Sequence, residues 1–161
     1  MSIFNANPGI MKIWYFTFVI GVSVVFNSCT IDHRLDRKAD KLVGAWVIEK
    51  VIFDKYGSLF NKKVTREYRN DEFEFLPDGR VYYFDDDINY EFEGNWDIVA
   101  ERGHNHEGDE EYEFYVEMHF YDPVYDDAFG YYGYISRLNN NKFHFHVSDR
   151  SGELEFRFRR K

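Results

Sequence analysis

The residues with chemical potential are histidines, carboxylates, serines and tyrosines, and most sit in short patterned groups. His104 and His106 stand two apart in Gly103-His104-Asn105-His106-Glu107-Gly108-Asp109-Glu110-Glu111. Two imidazoles with carboxylates beside them are a divalent-ion donor set, but the same string also reads as a solvated acidic loop, and that reading is favoured. His144 and His146 alternate in a strand-like segment and so share one face, with His119 a candidate third donor from a neighbouring strand. Three such histidines would suit zinc. Their face is the polar one, which makes them surface histidines. Asp85-Asp86-Asp87 and Asp126-Asp127 lack the ligand spacing of a calcium loop and read as polar turns. Ser136, Ser148 and Ser151 have no base beside them in sequence, and no Gly-x-Ser-x-Gly or phosphate-cradling loop occurs. The expectation is therefore no catalytic residue, no metal and no cofactor. The richest binding segment is Tyr121 to Tyr134, where Tyr alternates with Gly and Asp. Such residues build adaptable recognition surfaces, and their rings suit sugars. The same pattern also fits a strand with large cross-strand pairs.

The elements that position these groups follow a period of two. Phe 17, Tyr 13 and Trp 3 make up 20% of 161 residues, which favours strands over helices. Strands are expected at Ala45–Phe53, Glu72–Leu76, Arg80–Phe84, Ile88–Val99, Tyr112–Tyr121, Phe129–Leu138, Lys142–Ser148 and Glu153–Arg159, with 59–69 either loop or short helix and 100–111 a polar loop. Pro77-Asp78-Gly79 is a hairpin turn. The connections are too short for crossover helices, so the sheet is antiparallel. Eight sequential strands lose their edges most simply by closing into an up-and-down barrel. The fold class is therefore an all-β, eight-stranded antiparallel barrel.

Such a barrel is just wide enough for its own side chains or one small ligand. The ring-bearing residues expected to face inward, and to line any ligand, are Phe73, Phe75, Tyr83, Tyr90, Phe92, Trp96, Phe114, Phe143, Phe145 and Phe156, joined by Tyr112, Phe120 and Phe158. Each buries on the order of 150–250 Å². They would either fill the lumen or leave an aromatic pocket open at one end for a small apolar molecule.

Residues 13–26 form an apolar run preceded by Lys12 and followed by small polar residues. It is shorter than the roughly 20 residues of a spanning helix and reads as a secretory signal over 1–28, with Met11 a possible true start. The chain's one cysteine, Cys29, follows in Val25-Phe26-Asn27-Ser28-Cys29. It is either a buried thiol or an acylation site. The latter resembles the lipobox of bacterial lipoproteins in the loose form found in the Bacteroidetes. The resemblance implies export and a lipid anchor at Cys29 on the bacterial outer membrane. Residues 29–41 would then be lipidated Cys and tether, ending in about one helical turn, and 42–161 the barrel. From residue 30 onward, 29 acidic residues face 19 basic ones, a balance that excludes non-specific binding to nucleic acid or anionic lipid. Contact with the membrane is expected through the anchor only.

Leu42-Val43-Gly44-Ala45-Trp46, with Phe75-Leu76-Pro77-Asp78-Gly79-Arg80 and Gly94-Asn95-Trp96, resembles the lipocalin-like domains of bacterial lipoproteins. The resemblance implies that Gly44 lets the chain approach closely and that Trp46 closes the barrel bottom under an arginine of the last strand: Arg157, Arg159 or Arg160. The Thr-Asp-Tyr loop motif of secreted animal lipocalins is absent, so transport of lipophiles does not carry over. Two functions remain: an anchored barrel holding a small apolar ligand, or a filled barrel that contacts protein or glycan. A lipid-facing outer-membrane barrel also alternates, but the Cys29 motif and the Arg159-Arg160-Lys161 terminus weigh against it.

Overall fold

The computed structural model describes residues 31–58, 60–104, 110–148 and 150–161, leaving out the side chains of His104 and Glu110. The expected signal segment and Cys29 lie outside the described residues. So do Asn105 to Asp109 and the His104 side chain, which carry the His104/His106 pair. Contacts divide the chain into Met1–Arg34 and Leu35–Lys161, and the second unit holds the barrel.

The strands are β1 (Gly44–Lys55), β2 (Lys62–Lys63), β3 (Glu72–Phe75), β4 (Arg80–Asp85), β5 (Tyr90–His104), β6 (Glu110–Asp122), β7 (Asp127–Leu138), β8 (Lys142–Ser148) and β9 (Gly152–Arg160). They run in the order β2-β1-β3-β4-β5-β6-β7-β8-β9, and β1 also pairs with β9. All pairings are antiparallel, so eight strands close into an up-and-down barrel as the alternation predicts. The seam is long, from Trp46↔Arg160 to Lys55↔Gly152, and is interrupted by an irregularity at Glu49. On its other side β1 pairs with β3 over Gly44–Val47, and beyond that with the two residues of β2. The ambiguous stretch 59–69 resolves into β2 and a 3₁₀ turn, Thr65–Tyr68.

Two expectations are corrected. Residues 31–42 are helical (α1) rather than a tether with a single turn. Leu, Arg, Lys and Ala are strong helix formers. Positions 35, 38, 39 and 42, among the less exposed of the helix, form one stripe at helical spacing. Residues 100–104 and 110–111 are strand rather than loop, because β5 and β6 continue pairing to His104↔Glu110.

One end of the barrel is built by the motif Gly44-Ala45-Trp46. Trp46 is wholly buried. Its Nε1–H donates to the Leu42 carbonyl at 2.7 Å. Of the three candidate arginines, Arg160 covers it: the guanidinium carbon stands 4.3 Å from the ring centroid. The same guanidinium donates from Nη1 to the Val43 carbonyl (2.8 Å) and from Nη2 to that of Lys41 (2.6 Å). It thereby satisfies carbonyls at the C-terminus of α1, where a cation is also favoured by the helix dipole. Gly44 is required here on two counts. Its φ is +124°, and a Cβ would come within 2.4 Å of Arg160 Nη1. Pro77-Asp78-Gly79 forms the expected turn, with Gly79 at φ +84°.

The core is aromatic throughout. Phe73 on β3 lies 6.2 Å from Tyr131 on β7. Three strands separate these two in either direction round the barrel, so this contact crosses the lumen. Phe73 also meets Phe158 at 5.6 Å and Phe120 at 6.2 Å. Phe75 meets Phe143 at 6.2 Å, and Tyr131 meets Phe145 and Phe156 at 6.3 and 5.8 Å. These are the offset and edge-to-face distances that aromatic rings prefer.

Candidate functional site

The ten residues expected to line a ligand divide into two groups. Phe73, Phe75, Phe143, Phe145 and Phe156 have 2% or less of their surface exposed. A void large enough for water would leave some of that surface open, so neighbouring atoms, not free space, surround these rings. Tyr83, Phe92 and Phe114 are buried nearly as well. Tyr90 and Trp96 are half-buried. Trp96 packs edge-on against Phe75 at 5.4 Å and donates Nε1–H to the Leu76 carbonyl at 3.1 Å. Tyr90 meets Phe92 at 4.8 Å.

The barrel wall also buries one acid. Asp71, just before β3, is 2% exposed. It accepts from Tyr83 Oη at 2.8 Å and from the Asp86 amide at 3.1 Å. Burial pushes its carboxyl above the usual range, against the pull of those two hydrogen bonds. The Tyr83 phenol is pushed up too, first by burial and then by its bond to Asp71. The pair ties β4 to the loop before β3, and we read it as structural.

A groove of about 580 Å³ lies on the outside of the barrel, across β6 to β9. Alternation puts Tyr132, Tyr134 and Ser136 of β7 outward, while Tyr131, Gly133 and Ile135 face in. Tyr115 on β6 stacks on Tyr132 at 5.1 Å, nearly parallel, and meets Tyr134 edge-on at 5.7 Å. Tyr115 Oη donates to Glu113 at 2.8 Å, and Tyr132 Oη donates to Glu101. Burial, then these carboxylates, raise both phenols to about 12, so each stays a neutral donor at any ordinary pH. Tyr132 and Tyr134 remain 42% and 39% exposed. Among the described residues no lysine or arginine lines the groove.

At its far side the groove holds a polar chain. His146 Nδ1 lies 2.7 Å from Glu153 Oε1, and His146 Nε2 lies 2.9 Å from Ser136 Oγ. Ser148 Oγ donates to the other Glu153 oxygen at 3.4 Å. The residues come from three neighbouring strands, β7, β8 and β9. Ser136 sits at an irregularity, where pairing jumps from Ile135↔Phe145 to Arg137↔His144. Such bulges re-aim side chains. The serine thus has the base that its sequence neighbours do not provide.

The three histidines weighed as a zinc set do not assemble. His144 and His146 share the outer face as predicted, but His119 stands on β6, with β7 between. Each pairs with its own acid: His119 with Glu117 at 2.8 Å, and His144 with Glu155 at 4.0 Å. Burial, then the neighbouring Arg157, holds the His144 imidazole below its ordinary range. Among the described residues no group of three His, Cys, Asp or Glu is placed to hold a metal. The acidic turns act locally: Asp85 Oδ1 accepts from the amides of Asp87 and Ile88, and Asp122 Oδ1 from those of Val124 and Tyr125. Ile88, Val124 and Tyr125 are exposed at the barrel end opposite Trp46. No described helix is long and apolar enough to cross a membrane.

No protein-family model, curated protein or solved structure matches the chain.

Proposed function

We propose that this chain is an exported lipoprotein, anchored through Cys29 to the bacterial outer membrane, whose lipocalin-like barrel is filled by its own rings and binds a neutral glycan on its outer wall. The observation that carries the reading is the ring contact across the lumen, Phe73 to Tyr131, with Phe73 2% exposed. It favours a filled barrel over one that holds a small apolar molecule, and it directs attention to the outer groove. There Tyr132 and Tyr134 offer ring faces, while carboxylates and hydroxyls offer hydrogen bonds to sugar hydroxyls. With no lysine or arginine lining it among the described residues, and with Glu113 and Glu153 in its wall, the groove suits a neutral partner better than an anionic one.

The test is calorimetric titration of the full chain carrying Cys29→Ala with neutral oligosaccharides of glucose, xylose and mannose. Saturable binding that weakens roughly fivefold in Tyr134→Ala, as the loss of about 1 kcal/mol of ring contact requires, supports the reading. Absence of binding across the series, or binding indifferent to Tyr132→Ala and Tyr134→Ala together, contradicts it. The anchor is tested separately. Labelling with a palmitate analogue should mark the natural chain and not Cys29→Ala.

A further inference from the structure

We propose that Ser136, His146 and Glu153 form a nucleophilic acyl-transfer site and that the groove hydrolyses carboxylic esters. The geometry has the three required links. A glutamate without a proton can only accept, so its 2.7 Å contact fixes the hydrogen on His146 Nδ1. In the neutral imidazole that makes Nε2 the acceptor, 2.9 Å from Ser136 Oγ. A base in hydrogen-bond reach of a hydroxyl, itself oriented by an acid, is the arrangement that activates a serine. Ser148 holds the second oxygen of Glu153, which restrains the carboxylate further. The site opens on a groove with room for a substrate.

The chemistry balances without any further reactant than water. Ser136 Oγ adds to the ester carbonyl carbon while its proton passes to His146 Nε2. The tetrahedral adduct collapses, the carbon–oxygen bond to the alcohol breaks, and the departing oxygen takes the proton from Nε2. Water then adds to the acyl-serine carbonyl, giving its proton to Nε2. Collapse breaks the bond to Oγ, which recovers that proton, and the carboxylic acid leaves. The negative oxygen of each adduct needs a donor. Tyr134 lines the same groove, its ring 6.4 Å from that of His146. Its hydroxyl has no hydrogen-bond partner among the described residues. For substrate class the proposal rests on the glycan reading: an O-acylated sugar would lay its ring on the tyrosines and present its ester to Ser136. The nucleophile itself does not depend on that reading.

The test uses the full chain carrying Cys29→Ala, a fluorophosphonate probe and p-nitrophenyl acetate. Phosphonylation should map to Ser136 by mass spectrometry, disappear in Ser136→Ala, and persist in Ser151→Ala. Ester hydrolysis should fall at least about 10²-fold in Ser136→Ala and His146→Ala. Glu153→Gln should lower kcat with little change in KM, as a positioning residue would. Ser136 and His146 face outward on the wall, and near-ultraviolet circular dichroism of each variant confirms the intact aromatic core. An unlabelled Ser136, or hydrolysis unchanged in Ser136→Ala, overturns the proposal. Oligosaccharide binding that survives in Ser136→Ala while labelling is lost supports both readings. Labelling of Ser136 in a chain that binds no oligosaccharide supports the nucleophile and overturns only the glycan.

Discussion

Replacing Phe73 by Ala measures directly whether the barrel is full. Phe73 touches rings on four other strands: Tyr83 on β4 at 4.6 Å, Phe120 on β6, Tyr131 on β7 and Phe158 on β9. It also lies 6.3 Å from Phe75 on its own strand. Losing the ring removes its transfer free energy, about 2 kcal/mol, and leaves a cavity. The surrounding rings hang from strands that are hydrogen-bonded into a closed cylinder, so the walls cannot collapse inward. The cost should therefore fall in the upper part of the range for Phe→Ala, about 4–5 kcal/mol. If Phe73 instead lined an existing hollow, one side of the ring would have no neighbours to lose, and the cost would stay near or below the transfer value. Equilibrium urea unfolding followed by the fluorescence of Trp46 and Trp96 reads the difference. Phe73→Leu, which keeps most of the volume, should cost about 1–1.5 kcal/mol. The new void is apolar and of the size that admits benzene, so benzene should raise the midpoint of Phe73→Ala and leave the natural chain unmoved. A cost below about 2 kcal/mol, or benzene stabilising both proteins alike, would refute the reasoning.

Three further outcomes follow from the same contacts. Arg160→Lys should destabilise by about 2–3 kcal/mol in urea unfolding, because a single ammonium cannot serve the Lys41 and Val43 carbonyls and still cover Trp46. An equal stability would show that these contacts are incidental. Gly44→Ala should be destabilised through both its positive φ and its collision with Arg160, and combining it with Arg160→Ala should relieve part of the cost in a double-mutant cycle; strict additivity would refute the collision. Asp71 has a raised folded-state pKa, so the stability it contributes is full below the unfolded value of about 3.9 and is lost as pH rises through the folded one. The natural chain should therefore lose ground to Asp71→Asn between pH 4 and pH 7.5, and a difference that is flat or of opposite sign would show that the carboxyl is not disfavoured by burial.

Much of this architecture is written in alternation. A period of two in Glu72-Phe73-Glu74-Phe75 or Lys142 to Ser148 needs only that one face be dry, and the closed barrel supplies that face. Which of three arginines covers Trp46 is decided by the seam register, which puts Arg160 opposite it. The missed elements are those whose structure does not depend on alternating apolar residues. The 100–104 and 110–111 extension carries Glu, Arg and Gly on a hairpin tip, and backbone pairing rather than burial makes it strand. Helix α1 is polar on most of its surface, so charge masks its less exposed stripe in the sequence. The Ser136–His146–Glu153 chain depends on register across three strands and on the irregularity at Ser136. The first part of that register was within reach, since counting outward from Asn139-Asn140-Asn141 brings residue 136 close to 146 across the hairpin. The bulge that aims the serine leaves no mark in residue type.

A barrel filled by its own rings, acting through its outer wall, has no room for a guest inside. Native mass spectrometry of the full chain carrying Cys29→Ala, purified from the periplasm without detergent, tests it most directly. The mass should equal that of the polypeptide alone and stay unchanged after incubation with a fluorescent fatty acid. A stoichiometric small apolar molecule that survives purification and is released on unfolding would contradict it and make the interior the binding site.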